Sequence, residues 1–275
     1  VRVSGPAVAD GGLWGDERTV LARVIQITDC HVMTDPLGAI RGVPTRGTLE
    51  RVLSAVERNF PDADRLIITG DLTHDEKLST YVWLRERLQP WITRLRVIPG
   101  NHDDRGLMRE VFGDRLSPVA FDRNVFIDEI LGWRLIGLDS HVPGKLHGEL
   151  GLSQLSWLRA ELEQYPHMPT CLCLHHPPVL VGSAWLDRIN LLDAAELLEI
   201  VRAFPQVRSV WCGHVHQERT MLDGNVLLLT TPSTGVQFRP ETKALEVADA
   251  PPGFRVIELV SAGRFQTRVE HVVAR

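Results

Sequence analysis

The chain has 275 residues, 44% hydrophobic and 24% charged, the composition of a soluble globular protein with enough apolar residues for one large core. A formal net charge of −5 argues against a general nucleic-acid binder, which would carry a basic face, but not against a phosphate substrate, because bound metal supplies local positive charge. The apolar runs are only strand-length, so no membrane span is expected, and four cysteines in so long a chain suggest a reducing cytoplasm rather than a disulfide framework.

Residues 1–20 lack an apolar core behind basic residues and read as a loose N-terminal arm rather than a signal peptide. A first strand is expected over 22–28. A helix follows over 45–60, with Leu49, Val52, Leu53 and Val56 at helical spacing. A strand over 65–69 precedes a helix over 75–88, where Tyr81, Leu84 and Leu88 share one side. A strand over 95–98 leads to a helix over 105–112, with Asp103 or Asp104 as a candidate cap. Next come a strand over 134–138, a helix over 153–164 with Leu155, Leu158 and Leu162 aligned, and a strand over 170–174. Asp193, with Glu196 three residues on, resembles a capping box opening a helix to about 203. After a strand over 207–212 the pattern turns to strands alone: 218–222, 226–230, 254–260 and 264–272. Asp223-Gly224-Asn225 and Ala262-Gly263 supply hairpin turns. The order predicts a layered α/β domain with mixed sheets over 21–239. Residues 240–275 form a C-terminal hairpin extension packed on the same domain, jointed at Pro251-Pro252-Gly253.

Metal-ligand residue types recur where these strands end. Asp29-Cys30-His31 follows the first strand, Gly70-Asp71 the second and Gly100-Asn101-His102-Asp103 the third. His175-His176 follows "CLCL", and Gly213-His214-Val215-His216 follows "VWC". In an open α/β sheet the carboxyl ends of strands face one crevice, so these residues can converge. Each motif alone has a plainer reading, such as a turn, a helix cap or a buried strand end; their joint occurrence in this order outweighs it. The triplet at 29–31 is ambiguous, since Cys30 with His31 could be a nucleophile and its base. Two carboxylates, one amide oxygen and four or more imidazoles exceed the roughly four ligands of a single zinc site and suit two cations. Oxygen ligands mixed with imidazoles fit manganese, iron or zinc.

This order of motifs resembles the calcineurin-like metallophosphoesterase superfamily over residues 29–216. The resemblance implies a four-layer α/β/β/α sandwich with two mixed β-sheets flanked by helices. It implies that Asp29, His31 and His216 hold one metal ion, that Asn101, His175 and His214 hold the second, and that Asp71 bridges them. His102 would face the scissile phosphate, with Asn101 orienting it. Two divalent or mixed-valence ions (Fe, Mn or Zn) are implied as cofactors. Purple acid phosphatases, a related branch, place a tyrosine where this chain has His74 and lack the first histidine; they are rejected. His74 stays near the site as a candidate substrate-binding residue. His141, His147 and His176 are read as structural or supporting groups, and Asp103 as an orienter of His102 or a plain helix cap.

The segments "DSHVPGKLHGELGLSQLSWL", "LHHPPV", "SAWLDRINL", "TPSTGVQF" and "PPGFRVIEL" narrow the likeness to bacterial class III 3′,5′-cyclic AMP phosphodiesterases. That branch implies hydrolysis of 3′,5′-cyclic nucleotides, cyclic AMP above all, to 5′-nucleotides by in-line attack of a hydroxide held between the metals. Its small-molecule phosphodiester would be the partner, with no nucleic-acid polymer and no membrane; a homodimer is compatible with the family. The alternatives are a broad phosphodiesterase for glycerophosphodiesters, 2′,3′-cyclic nucleotides or aryl phosphates, and a non-catalytic metal-binding scaffold. A DNA nuclease fits less well with the acidic balance. Under this reading Cys30 loses its base: two-residue spacing in an extended segment places Asp29 and His31 on one side and Cys30 on the other.

Overall fold

Two mixed sheets stack face to face, and helices cover the outer side of each. The computed structural model describes residues 19–273. The principal strands are β1 (Val20–Ile27), β2 (Arg65–Thr69), β3 (Leu95–Ile98), β4 (Phe126–Ile130), β5 (Trp133–Gly137) and β6 (Thr170–Leu174), followed by β7 (Val207–Cys212), β8 (Arg219–Asp223), β9 (Val226–Thr230), β10 (Gly253–Val260) and β11 (Arg264–His271). The helices are α1 (Thr45–Asn59), α2 (Leu78–Arg87), α3 (Arg105–Phe112), α4 (Leu152–Gln164) and α5 (Ala194–Ala203).

The first sheet runs β11-β10-β1-β2-β3, with β1, β2 and β3 parallel. The second runs β8-β9-β7-β6-β5-β4, with β9, β7, β6 and β5 parallel at its centre. Strand alternation sorts the apolar residues into three layers. Ile25, Ile27, Leu66 and Ile68 pack under α1, α2 and α3. Val24 and Ile67 face inward against Cys171, Cys173 and Trp211 of the second sheet. Leu172, Leu174 and Val210 pack under α4 and α5 through Leu158, Leu162 and Leu197. This is the expected α/β/β/α sandwich.

At one end the inter-sheet layer turns polar. Gln26 reaches from β1 to Thr69 Oγ1 (2.9 Å) and to the Cys212 carbonyl (3.2 Å) in the other sheet. Beside it in register, Arg255 of β10 donates to the Thr230 carbonyl at 2.7 Å. These crossings fix the relative positions of the strand ends that carry the site. The C-terminal hairpin belongs to the first sheet, with β10 running antiparallel along β1 from Val20↔Val260 to Gln26↔Arg255.

Several expectations shift. The N-terminal arm lies outside the described residues up to 18, and Val20 already opens β1. Strand β4 was not expected; it forms a hairpin with β5 across Leu131 and Gly132, both in the left-handed region (φ 45° and 83°). Helix α2 starts at Leu78 rather than 75, because the Asp75 carboxylate instead ties the preceding turn to Thr34 N and Thr80 Oγ1, both at 2.8 Å. A 3₁₀ segment, Gln89–Arg94, continues from it. The capping box at Asp193 does not form: its carboxylate accepts from the backbone N–H groups of Leu150 and Gly151, holding the start of α4 against that of α5. Asp104, not Asp103, caps α3 by accepting from Leu107 N at 2.8 Å.

Candidate metal centre

The motif residues leave the carboxyl ends of β1, β2, β3, β6 and β7 and meet in one buried cluster. At five of them the backbone is not extended. Asp29 and His31 have φ of 53° and 45°, Asp71 50°, and His214 and His216 71° and 50°. The expected reason for Asp29 and His31 sharing a side is therefore corrected: left-handed turns at both residues, rather than strand alternation, aim them together. Non-glycine residues in this region are strained, and such strain concentrates at functional sites. The surroundings hold it in place. Asp29 N donates to the Gly70 carbonyl (3.1 Å), His31 N to the Asp71 carbonyl (2.9 Å), and Ser233 Oγ to the Asp29 carbonyl (2.8 Å). The loops touch so closely that a Cβ on Gly213 would overlap Thr28 Oγ1, and one on Gly100 would overlap Asp71.

The donor atoms form two sets joined by one carboxylate. In the first, Asp29 Oδ1 lies 3.2 Å from His216 Nε2, which is 3.2 Å from His31 Nε2. In the second, Asn101 Oδ1 lies 2.9 Å from His214 Nδ1 and 3.2 Å from His175 Nε2. Asp71 Oδ2 is 3.4 Å from His31 Nε2 and 3.4 Å from His175 Nε2. Two of the imidazoles are oriented by backbone carbonyls through Nδ1, namely His175 by Thr69 and His216 by Val236, each at 2.8 Å. That leaves Nε2 of both rings facing the cluster, the usual support for a metal-binding histidine.

Burial alone would raise both carboxylates, but His216 holds Asp29 below its ordinary value and His175 holds Asp71 well below. Burial drives His31 and His214 down to about 3, so both are neutral at physiological pH. Burial also opposes charge on His175, yet Asp71 and Asp29 overcome it and push the ring up to about 9. Among the described residues no Arg or Lys pairs with Asp29 or Asp71. His214 Nε2 is buried without a protein partner. Two buried carboxylates with no Arg or Lys partner among the described residues, ringed by imidazoles and one amide, have the chemistry of a site that takes metal ions.

Three further histidines adjoin the cluster: ring nitrogens of His74 and His102 come within 4.8 Å of His31, and one of His176 within 4.8 Å of His175 and His214. His102 is held by its backbone N–H on Asp71 Oδ1 (2.8 Å), and its ring lines the cavity. His74 stacks on His102 with ring centroids 4.7 Å apart, and its Nδ1 is 3.4 Å from His31 Nδ1. His176 is buried behind the cluster, bonded to Ser140 Oγ (2.8 Å) and the Leu146 carbonyl (3.1 Å). His141 is buried beside the Arg105–Asp139 pair, and His147 lies outside the cavity lining. Asp103 does not hold His102 through its side chain; it accepts from Leu72 N, Thr73 N, Gly100 N and Tyr81 Oη, and so ties the second and third loops together. All four cysteines are free and buried, and burial pushes the Cys30 thiol far above its usual range.

A cavity of about 480 Å³ opens over the cluster. One end is lined by the candidate ligands; the other is lined by Ile40, Trp185, Ile189, Phe238 and Leu245. Trp185 and Phe238 lie in "SAWLDRINL" and "TPSTGVQF", two of the segments that carried the resemblance. Ile40 and Leu245 carried no signal, because an isolated apolar residue in a loop does not reveal what it faces.

Strand-end carboxylates and imidazoles over a double parallel-centred sheet are the working parts of a metallophosphoesterase. Residues 22–218 match the calcineurin-like phosphoesterase family, and the chain belongs to it. It is a metal-dependent hydrolase. It is 36% identical over 251 residues to the 3′,5′-cyclic adenosine monophosphate phosphodiesterase CpdA of Escherichia coli (strain K12), covering 91% of this chain and 90% of that protein. A 3′,5′-cyclic-nucleotide phosphodiesterase of Nostoc sp. is 34% identical over 255 residues, with 90% and 92% covered. A dimetal phosphatase from Danio rerio superposes with a TM-score of 0.64 at 13% identity, over 93% of this chain and all of that one, which shows the shared fold. Among the described residues no helix is long and apolar enough to cross a membrane.

Proposed function

We propose that this protein is a dinuclear-metal phosphodiesterase that opens 3′,5′-cyclic nucleotides, with cyclic AMP as the principal substrate, to give 5′-nucleotides. The observation that carries the reading is the convergence of Asp29, His31, Asp71, Asn101, His175, His214 and His216 in one cluster at the floor of a cavity. The choice of substrate rests on relatives matched over about nine-tenths of the chain.

Asp29, His31 and His216 would hold one cation, and Asn101, His175 and His214 the other. Asp71 would serve both, because its Oδ2 is the carboxylate oxygen within 3.4 Å of a histidine from each set. Manganese, iron or zinc suits this mixture of oxygen and imidazole. Bound cations would polarise the phosphoryl group and lower the pKa of water. The chain's own contribution is to fix the donors in a buried, nearly rigid frame, where charge developing at phosphorus is stabilised without reorganisation. Asn101 would orient the phosphate. His102, on the cavity side of Asp71, would stabilise the developing charge or give a proton to the departing 3′-oxygen. His74, stacked on His102, would lie beside the substrate. Four free buried thiols suit a reducing compartment such as the cytoplasm.

The test is a substrate panel with manganese-loaded enzyme at equal concentration: cyclic AMP, cyclic GMP, a 2′,3′-cyclic nucleotide, a glycerophosphodiester and an aryl diester. Cyclic AMP is expected to give the highest kcat/KM. No preference over the aryl diester would leave a broad phosphodiesterase, and inactivity with every metal would leave a binding scaffold.

A further inference from the structure

The cavity has two chemically opposite ends. The floor holds the cluster of charged and polar donors, whereas the outer part is apolar apart from Arg41, which is exposed at the rim. A continuous aromatic wall joins them. The Phe238 ring stacks on His216 (centroids 4.2 Å apart, 18° between planes), and Trp185 packs edge-on against Phe238 at 5.1 Å. Trp185 is fixed from behind. Its Nε1 donates to Thr242 Oγ1 (3.3 Å), and Ala184 N to the Thr242 carbonyl (3.0 Å). Ser183 Oγ accepts from Glu241 N (2.9 Å). The tryptophan also rests on the small apolar cluster of Val181, Leu186 and Val215, while part of its ring stays open to the cavity. A half-exposed tryptophan held rigidly over an apolar hollow is preorganised to receive a flat, uncharged ring. Phe238, Thr242 and Leu245 all lie beyond residue 218, outside the span that matches the family.

We propose that Trp185 and Phe238 form the base-binding wall of the site and direct it to purine cyclic nucleotides. The assignment rests on the reading as a cyclic nucleotide phosphodiesterase. The cyclic phosphate sits on the donor cluster and the base lies along the aromatic wall, under Ile189 and Leu245. Among the described residues no carboxylate or amide side chain lines this lobe, and its one charged group, Arg41, is exposed, so the base is held chiefly by its faces. Ring area then decides affinity, which separates purines from pyrimidines and leaves cyclic AMP only a modest lead over cyclic GMP.

The experiment compares kcat/KM of the manganese-loaded wild-type enzyme, Trp185→Ala and Trp185→Phe. The substrates are cyclic AMP, cyclic GMP, cyclic CMP and the base-free methyl ribofuranoside 3′,5′-cyclic phosphate. In Trp185→Ala the ratio of cyclic AMP to base-free turnover is expected to fall roughly 10-fold or more, the scale of one lost base–aromatic stack. Trp185→Phe keeps a ring and should restore most of that ratio, which separates stacking from a general loss of folding. Wild-type enzyme should treat cyclic AMP and cyclic GMP within about 10-fold, and cyclic CMP less well than either. An unchanged ratio in active Trp185→Ala overturns the wall while the phosphodiesterase reading stands. Discrimination between the two purines above about 100-fold overturns recognition by faces. A wild-type enzyme that opens no cyclic nucleotide overturns the functional reading and the wall together.

Discussion

The Nε2 of His175 lies 3.4 Å from Asp71 Oδ2, and both side chains are almost completely buried. With Nδ1 donating to the Thr69 carbonyl, the metal-free ring is a double donor and carries a proton up to about pH 9. Its folded pKa is raised above the ordinary histidine value. Its contribution to stability is therefore full below about 6.5 and is lost as pH rises through about 9. A cation that binds Nε2 must displace that proton. Metal uptake at pH 7 is expected to release about one proton from His175, with affinity rising toward pH 9. His31 and His214, already neutral, add none. Titration calorimetry of the metal-free protein in buffers of different ionisation enthalpy measures this release, and a value near zero contradicts the assignment.

Second-cation ligands and the phosphate-facing histidine should separate in their effects. Asn101→Ala and His214→Ala are expected to lose about one cation per chain and most activity while the fold persists. His102→Ala should keep both cations and lose turnover by on the order of 100-fold or more, the usual contribution of a positioned acid or charge stabiliser. Elemental analysis beside kcat distinguishes the two patterns. Metal loss in His102→Ala would mean that this ring is itself a ligand.

Asp103 provides a stability test away from the chemistry. Burial and the nearby Asp71 raise its carboxyl to about 6. A carboxyl raised in this way gives its full relative stabilisation below about pH 4 and loses it as pH climbs through 6. The free-energy difference between wild type and Asp103→Asn, both metal-free, should therefore move against wild type by on the order of 2–3 kcal/mol from pH 4 to 7. Asp103→Ala, which strands buried backbone N–H groups in two loops, should cost about 3 kcal/mol at pH 4 and follow the same pH trend as Asp103→Asn. Urea unfolding at several pH values reads both, and a pH-independent difference for Asn rejects the buried-carboxyl account.

Cys30 sits between two candidate ligands yet has no base, and burial suppresses its thiolate. Thr234 Oγ1 is buried beside the thiol, with no partner other than Cys30. Cys30→Ser should give that hydroxyl a stronger hydrogen-bond partner, change stability by less than about 1 kcal/mol and alter kcat by less than about twofold. Loss of turnover with both cations still bound would restore Cys30 as a reacting group.

The alternation of strands and helices was legible because apolar period and turn residues are local. So were the seven candidate ligands, each marked by its place after an apolar run. What was not legible is non-local or conformational. Strand β4, "FIDEI", carries two acids within a short run, and its Leu131-Gly132 turn lacks the usual Asn or Asp. Asp193 has the spacing of a cap, but the backbone of Leu150 and Gly151, distant in sequence, captures it. Asp29 and His31 do meet, though through left-handed backbone that residue spacing cannot announce. The apolar end of the cavity joins residues near 40, 185 and 240 that nothing in the sequence links.

The clamps on the first and last ligand motifs come from farther along the chain. Ser233 holds the Asp29 carbonyl, Val236 orients His216, and β10 lies along the strand that delivers Asp29. A growing chain on the ribosome would have made β1 long before any of these exists, so the nascent segment cannot keep its left-handed ligands in place. Metal capture at this cluster would thus belong to the last stage of biosynthesis, with the cation meeting an almost finished fold rather than an emerging peptide.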